Sequence, residues 1–260
     1  METITSVDGT VLSFDEDGRG PPLLLVHGTT ADHTRWQGVT PQLSQRYTVF
    51  AMDRRGRGES GDGPEYHLER EAEDVAAVAE AIGEPVFILG HSYGAACSLE
   101  AALLTDRIHK MILYEPPIPT GVLMYPPGVP DEMQSLVDEG HWESALELFF
   151  KDVVRMPEQE LAQYRRLPMW KRRVQLAPTI PRELAIDTTY RFVPEKFADF
   201  RVPTRLMLGG DSPPLFQRAV DAVHQAVPNT EVVVLPGQQH IAMDTDPELF
   251  LREVIRFLGE

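Results

Sequence analysis

The sequence predicts an α/β fold in which a mostly parallel β-sheet is covered by helices on both faces. Short runs that are apolar at every position alternate along the chain with segments whose apolar residues recur at helical spacing. A strand that is apolar throughout is buried on both faces, as in the interior of a parallel sheet. The chain has 260 residues, of which 42% are hydrophobic, and this is enough for one domain with a full core.

The elements of this fold can be placed in order along the chain. Residues 3–7 and 10–15 alternate around an Asp-Gly pair and predict a β-hairpin at one edge of the sheet. Buried strands are predicted at residues 23–26, 47–52, 86–89, 110–114, 204–208 and 231–235. Helices are predicted at residues 36–43, 68–82, directly after 92, 215–227 and 246–258. Gly83 is a stop signal for the second of these helices, and Asp246-Pro247 is a good start for the last.

The pattern changes between residues 118 and 197, where no buried-strand run occurs and prolines separate short helical segments. These segments are predicted at residues 132–139, 141–154, 158–166 and 169–176. We therefore expect a core formed by residues 1–117 and 198–260, with a helical cap inserted at 118–197. Ligands of open α/β sheets bind at the carboxyl ends of the strands, and the cap is expected to cover that edge.

Charge and cysteine content exclude several classes of partner. The net charge of −16 is spread along the chain, whereas nucleic acids and anionic membrane surfaces need basic patches. The single cysteine, Cys97, cannot form an internal disulfide. The first residues do not resemble a signal peptide, and no apolar run is long enough to span a membrane. We expect a cytoplasmic protein that acts on a small molecule, in an oligomeric state that the sequence leaves open.

The most informative motif is Gly90-His91-Ser92-Tyr93-Gly94, which lies between a buried strand and a helix rich in small residues. In this context a G-x-S-x-G pattern predicts a nucleophile elbow, a sharp turn that exposes the serine hydroxyl. The glycines on either side are needed because a Cβ there would collide with neighbouring backbone. Ser92 is thus the predicted nucleophile. The alternative is an ordinary glycine-rich turn.

A serine nucleophile needs a base, and the base needs an acid that orients it. His240 follows the last strand and is expected at the same sheet edge as Ser92. For the acid, Asp211 is preferred because it follows the preceding strand and gives the chain order Ser, Asp, His. Glu115, at the end of the strand after the elbow helix, is the alternative acid.

The tetrahedral intermediate of such a reaction needs two preorganised N–H donors. One is expected from the backbone of Tyr93, directly after the nucleophile, and the other from Thr29, in the loop after strand 23–26. Gly28 would let this loop approach closely, and His27 is expected to brace the loop through hydrogen bonds.

Together these motifs resemble the α/β-hydrolase superfamily over nearly the whole chain. The matching features are His27-Gly28, the polar loop 53–60, the elbow 90–94, Asp211 and His240. The resemblance implies an eight-stranded sheet, a helical cap and hydrolysis through an acyl-enzyme without a cofactor. Asp211 follows its glycine sooner than the usual Gly-x-x-Asp spacing of the superfamily, which keeps Glu115 open as the acid.

The expected function is therefore a serine hydrolase of carboxylic esters, lactones or thioesters. The alternatives are C–C bond hydrolysis, lyase or cyclase chemistry with the same triad, and a ligand receptor without catalysis. No cofactor and no metal site is expected, since the histidines lack metal-ligand spacing and residues 55–58 lack the third glycine of a dinucleotide loop. The aromatic and methionine-rich cap suggests an apolar group on the substrate. The basic run at 165–173 is interpreted as a solvated helix face, with recognition of an anionic substrate group as the alternative.

Overall fold

The structure is a computed structural model that describes residues 1–259, and its centre is one eight-stranded sheet. The strands are β1 (Glu2–Thr5), β2 (Val11–Gly18), β3 (Pro22–Val26), β4 (Thr48–Met52), β5 (Val86–His91), β6 (Ile108–Tyr114), β7 (Thr204–Gly209) and β8 (Thr230–Leu235). Their order in the sheet is β1-β2-β4-β3-β5-β6-β7-β8. The pairs β1–β2 and β2–β4 are antiparallel and the other neighbours are parallel. The mostly parallel sheet with its antiparallel hairpin at one edge is confirmed.

Helices lie on both faces of this sheet. They are α1 (Thr40–Leu43), α2 (Leu68–Ile82), α3 (Tyr93–Ala101), α4 (Val129–Asp138), α5 (Trp142–Leu148), α6 (Glu158–Tyr164), α7 (Met169–Leu176), α8 (Ile180–Leu184), α9 (Ile186–Thr189), α10 (Pro214–Ala226), α11 (Ala242–Thr245) and α12 (Pro247–Gly259). Strand β3 shows why both faces are covered: Leu23 and Leu25 pack with α1 and α12, whereas Leu24 and Val26 pack with α2, α3 and α10. All four side chains are fully buried, as the unbroken apolar run predicts.

The observed elements differ from the predicted ones at one edge of the sheet and in short segments. The strand predicted as buried at 231–235 is β8, an edge strand in which Val234 is 51% exposed and only Leu235 is buried. The helix expected at 36–43 is two pieces, a 3-10 turn at His33–Trp36 and α1, with Gly38 between them. The segment predicted as one helix at 141–154 is α5 followed by a π-helical turn at Phe149–Val153. Helices α8, α9 and α11 were not predicted, because four or five residues are too few to show a periodicity.

Only helices, turns and irregular segments lie between β6 and β7 within the described chain. Residues 118–197 are called the helical insertion below. Most of their buried apolar side chains belong to the cluster on the face of the sheet that carries α12, and the others belong to the cluster on the opposite face, namely Ile118, Ile186, Tyr190 and Phe197. Aromatic rings of Phe150, Tyr164 and Trp170 pack together inside the insertion, with centroids 5.2 to 6.4 Å apart. Across residues 1–259, no helix combines the length and apolarity needed to cross a bilayer.

Candidate active site

Ser92 lies on a sharp turn between β5 and α3, and its backbone has φ 54° and ψ −126°. A residue with a side chain rarely adopts a positive φ, so this turn is held in place by its surroundings. The flanking glycines are required on steric grounds. A Cβ on Gly90 would lie 2.7 Å from the Ala95 Cα, and one on Gly94 would lie 2.3 Å from the carbonyl oxygen of His27. The motif therefore forms the strand-to-helix elbow that its pattern predicts.

His240 lies in the loop after β8 and lines the same cavity as Ser92. Its Nδ1 is 2.5 Å from Oε2 of Glu115, and its ring stacks on Phe216 with centroids 4.5 Å apart. The backbone carbonyl of His240 accepts a hydrogen bond from Nε2 of His91 at 2.8 Å. Because a carboxylate only accepts, Nδ1 carries the proton and Nε2 keeps its lone pair. This is the tautomer that a general base needs.

The carboxylate that meets His240 belongs to Glu115, the alternative acid, and not to the preferred Asp211. Glu115 is fully buried and follows the end of β6 with a left-handed φ of 49°. Its second oxygen, Oε1, accepts hydrogen bonds from the Gly209 N–H at 2.7 Å and the Ser212 hydroxyl at 2.5 Å. Both oxygens are therefore engaged, and the carboxylate is fixed in position.

Contrary to its expected role as the acid, Asp211 lies on a loop that carries it away from His240. Asp211 follows the last residue of β7, Gly209, by only two positions. The loop turns at once, and the backbone N–H of Asp211 donates to the carbonyl of Gln238 at 2.9 Å. Its side chain is exposed to solvent, away from the buried Nδ1 of the histidine. The short spacing between the glycine and Asp211 is the feature of the sequence that indicates this position.

The loop after β3 approaches Ser92 as closely as its glycine permits. A Cβ on Gly28 would lie 2.8 Å from the Cβ of Ser92, and Thr29 and Tyr93 line the cavity with the serine. His27 braces this loop as expected: its Nδ1 donates to the Gly28 carbonyl at 2.9 Å, and its Nε2 accepts from the Arg54 N–H at 3.1 Å. Burial lowers the pKa of His27 well below its ordinary value, so the ring stays neutral in this role.

Most of the cavity wall opposite Ser92 comes from the helical insertion, and the cavity has two lobes. The apolar lobe holds about 30 Å³. Its apolar lining consists of Pro117, Met124, Tyr125, Phe149, Val153, Val154, Leu184, Ile186 and Phe216. The second lobe holds about 20 Å³, shares Ser92, Thr29 and His240, and is called the arginine lobe below because Arg35 and Arg173 line it. Each lobe has room for about one water molecule.

A buried ionic network that the sequence did not reveal joins the insertion to the core. Arg54 pairs with Glu71 on α2 at 3.1 Å and with Glu183 on α8, and Arg57 also pairs with Glu183. All four side chains are at most 1% exposed. Glu183 also lines the apolar lobe. In the sequence, the loop 53–60 is a polar loop that matches the superfamily, but its arginines give no local sign that they turn inward.

One cluster within the described residues has the composition of a metal site. Single side-chain ligand atoms of Asp32, His33 and Asp53 all lie within 4.8 Å of one another. Internal bonds account for these atoms. Asp32 caps the turn at Thr34 and pairs with Arg172, while Asp53 accepts from His33 Nδ1 at 2.8 Å. The cluster therefore holds the loop together.

Comparisons with known proteins agree with this geometry. A family model described as "Alpha/beta hydrolase family" matches residues 23–253. A solved α/β hydrolase from Sphaerobacter thermophilus is 32% identical, covers 99% of this chain and 100% of its own, and superimposes with a TM-score of 0.87. The esterase RhEst1 from Rhodococcus sp. is 26% identical over 100% of this chain and 98% of its own, with a TM-score of 0.79. A 2-(acetamidomethylene)succinate hydrolase from Mesorhizobium japonicum is 27% identical over 95% of this chain and 91% of its own.

Proposed function

The chain belongs to the α/β hydrolase family, and within it we propose that the protein is a serine hydrolase of a small carboxylic ester, lactone or thioester. One observation carries the proposal: a serine on a strained elbow shares a cavity with a histidine whose Nδ1 is bonded to a buried carboxylate. That combination activates an alcohol for attack on a carbonyl. The esterase and hydrolase names of two relatives support hydrolysis.

The reaction proceeds in two halves. The Oγ of Ser92 attacks the carbonyl carbon while Nε2 of His240 takes the hydroxyl proton, and Glu115 stabilises the imidazolium that forms. The backbone N–H groups of Tyr93 and Thr29 donate to the oxyanion. The intermediate collapses, the C–O or C–S bond breaks, and His240 returns its proton to the leaving alcohol or thiol. Water then attacks the acyl-enzyme with His240 again as base, which releases the acid and restores the serine.

The cavity supports a small substrate and a role for the helical insertion as a lid. Its apolar lining suits a short alkyl or acyl group, and the insertion covers the serine from the side of α8 and of the π-helical turn at Phe149–Val153. We assign residues 118–197 as the cap of this enzyme, which controls access and specificity.

Hydrolysis of p-nitrophenyl acetate tests the proposal. Ser92→Ala should lower kcat by at least about three orders of magnitude, because the nucleophile is removed. Ser135→Ala, at an exposed position on α4, is the control and should keep wild-type kcat. Retention of most activity by Ser92→Ala would refute the mechanism.

Two further measurements separate the alternatives. A fluorophosphonate should label wild type once per chain, at Ser92, whereas a receptor without an activated serine would not react. A β-diketone should not be cleaved faster than p-nitrophenyl acetate. Faster release of acid from the diketone would favour C–C bond hydrolysis with the same residues.

A further inference from the structure

The arginine lobe places two guanidinium groups beside the proposed nucleophile. Arg35, from the 3-10 turn after β3, is 6% exposed, and Arg173, from α7 of the helical insertion, is 7% exposed. Both line the lobe together with Ser92 and His240. Core and insertion thus each contribute one cation to the wall of the cavity.

Arg35 has hydrogen-bonding capacity that its surroundings leave unused. Its Nη1 donates to Asp244 at 2.8 Å. Its Nε and Nη2 are buried and have no hydrogen-bond partner among the described residues. Buried N–H groups of an ion are normally paired, because leaving them without an acceptor is costly. Arg54 and Arg57 each leave only Nε without a partner, whereas Arg35 leaves two donors on a side chain that lines the cavity beside Ser92.

Arg173 has no ionic partner. Its Nη1 donates to the hydroxyl of Thr30 at 2.7 Å and to the backbone carbonyl of the same residue at 3.3 Å. In residues 1–259 no carboxylate oxygen lies within 4.0 Å of its nitrogens. The guanidinium faces the rings of Phe150 and Tyr164, 5.7 and 5.4 Å from their centroids. Burial lowers the pKa of Arg173, yet an arginine remains protonated at neutral pH.

Within ion-pair distance the two arginines of the lobe have one carboxylate between them, and the next buried carboxylate, Glu115, is engaged by His240. Arg35 and Arg173 face one paired carboxylate, Asp244. The buried arginines Arg54 and Arg57, by contrast, pair with two carboxylates, those of Glu71 and Glu183. An isolated buried charge is strongly unfavourable, and such charges are normally paired. Arg173 is thus a buried cation without a paired carboxylate, and an anion that entered the lobe would meet it together with the unpartnered donors of Arg35.

The rest of the basic run supports this distinction. Arg165 and Arg172 on the same stretch are exposed and pair with Glu147 and Asp32. The interpretation as a solvated face holds for these residues and fails for Arg173, which turns into the cavity.

We propose that Arg35 and Arg173 form a carboxylate subsite, so that the preferred substrate carries a second, ionised carboxylate a few atoms from the scissile ester. This inference rests on the proposed ester hydrolysis and names the substrate class for it. A carboxylate is the anion that fits, because it is small and planar and matches the fork of a guanidinium with two parallel hydrogen bonds. The apolar lobe would then hold the other part of the substrate.

Two pairs of esters of matched shape test the charge preference, with hydrolysis followed by proton release. Monoethyl succinate carries the carboxylate on the acyl part, and ethyl 4-methylpentanoate replaces it with an isopropyl group. Acetoxyacetate carries it on the leaving alcohol, and isobutyl acetate is its neutral partner. Wild type should hydrolyse the charged member of at least one pair with a kcat/KM at least about tenfold higher, and the pair that responds shows which part of the substrate lies in the arginine lobe.

Arg173→Met keeps the apolar stem of the side chain against the aromatic rings and removes the charge. It should lower kcat/KM for the preferred charged ester by about 10- to 100-fold, as expected for hydrogen bonds to an ion. The neutral partner should change by less than about threefold. Lys171→Met, two residues earlier on α7 and exposed, is the matched control and should leave both values unchanged. Equal loss for both members of a pair, or a wild-type preference for the neutral ester in both pairs, would overturn the subsite.

Binding of succinate separates the subsite from the chemistry. Calorimetry on Ser92→Ala should give a Kd for succinate that rises at least tenfold when Arg173→Met is added. If no ester is hydrolysed and the fluorophosphonate does not label the chain, the proposed function fails, and the succinate titration still decides the subsite. Unchanged binding in the double variant would refute it. Arg173→Lys, which keeps the charge, should restore part of the binding.

Discussion

Replacement of Glu115 by Gln tests the part of the site where structure and sequence preference differ. The side chains have the same shape, and the amide oxygen can still accept from Gly209 and Ser212 as Oε1 does. The amide NH₂ would face Nδ1 of His240 and force the ring proton onto Nε2, where it blocks the base. Glu115→Gln should therefore fold normally and lose catalysis.

The size of the loss follows from the contact between Glu115 and His240, whose O and N atoms are 2.5 Å apart. Charge centres about 4 Å apart interact by about 4 kcal/mol at an effective dielectric constant of 20. This interaction stabilises the imidazolium in the transition state, and each 1.36 kcal/mol is a factor of ten in rate. We expect kcat for p-nitrophenyl acetate to fall by about 10³-fold.

Asp211→Asn is the matched control, because it makes the same chemical change on an exposed side chain. It should retain kcat within about threefold. Glu115 would not be the acid of the triad if Asp211→Asn lost three orders of magnitude in kcat while Glu115→Gln kept more than a tenth of wild-type kcat. Urea denaturation of both variants shows whether either change acts through stability.

Three other predictions follow from buried groups. Burial lowers the pKa of His91 well below its ordinary value, so the stability due to its neutral state is full above about pH 6.5 and is lost as the pH falls below it. Between pH 7.5 and 5.5, wild type should therefore lose about 1.4 kcal/mol more unfolding free energy than His91→Gln, measured in urea. Glu183→Gln removes the shared partner of Arg54 and Arg57 and should lower the unfolding free energy by about 3 kcal/mol in the same assay. Gly28→Ala brings a Cβ to 2.8 Å from the Cβ of the elbow serine and should lower kcat for p-nitrophenyl acetate by about 10²-fold.

Equal pH dependence of wild type and His91→Gln would show that the pKa of His91 is the same in the folded and the unfolded chain and would contradict the prediction. Glu195→Gln, at an exposed glutamate of the helical insertion, should change stability by less than about 0.5 kcal/mol. A similar small effect of Glu183→Gln would contradict the ionic link. Gly38→Ala has 3.9 Å of clearance and should keep full activity, and a Gly28→Ala enzyme as active as this control would contradict the steric argument.

Local patterns were enough to predict the sheet and the elbow. Buried strands appear as apolar runs, α2 ends at Gly83 as its stop signal predicts, and glycines around Ser92 indicate close backbone contacts. Helix α7 was predicted at its observed bounds, 169–176.

The direction of individual side chains could not be predicted in the same way. Glu115 and Asp211 both follow strands at the same edge, and only the turn after Gly209 and the left-handed backbone of Glu115 decide which carboxylate reaches the histidine. Arg173 differs from Arg172 only in the face of α7 that it occupies, and packing against the core sets that face. Such choices depend on contacts between residues far apart in the chain, and a single sequence does not display them.

The small volume of the two lobes has a kinetic consequence. They hold about 30 and 20 Å³, whereas ligand sites usually hold several hundred. If the proposed cap opens and closes in each turnover, the ionic pairs of Glu183 and Arg172 that join it to the core must break and form again. When that movement is slower than bond cleavage, kcat no longer depends on the leaving group, and phenyl and alkyl esters of one acid reach the same maximal rate. Solvent viscosity, rather than the acidity of the departing alcohol, would then set the speed of the enzyme.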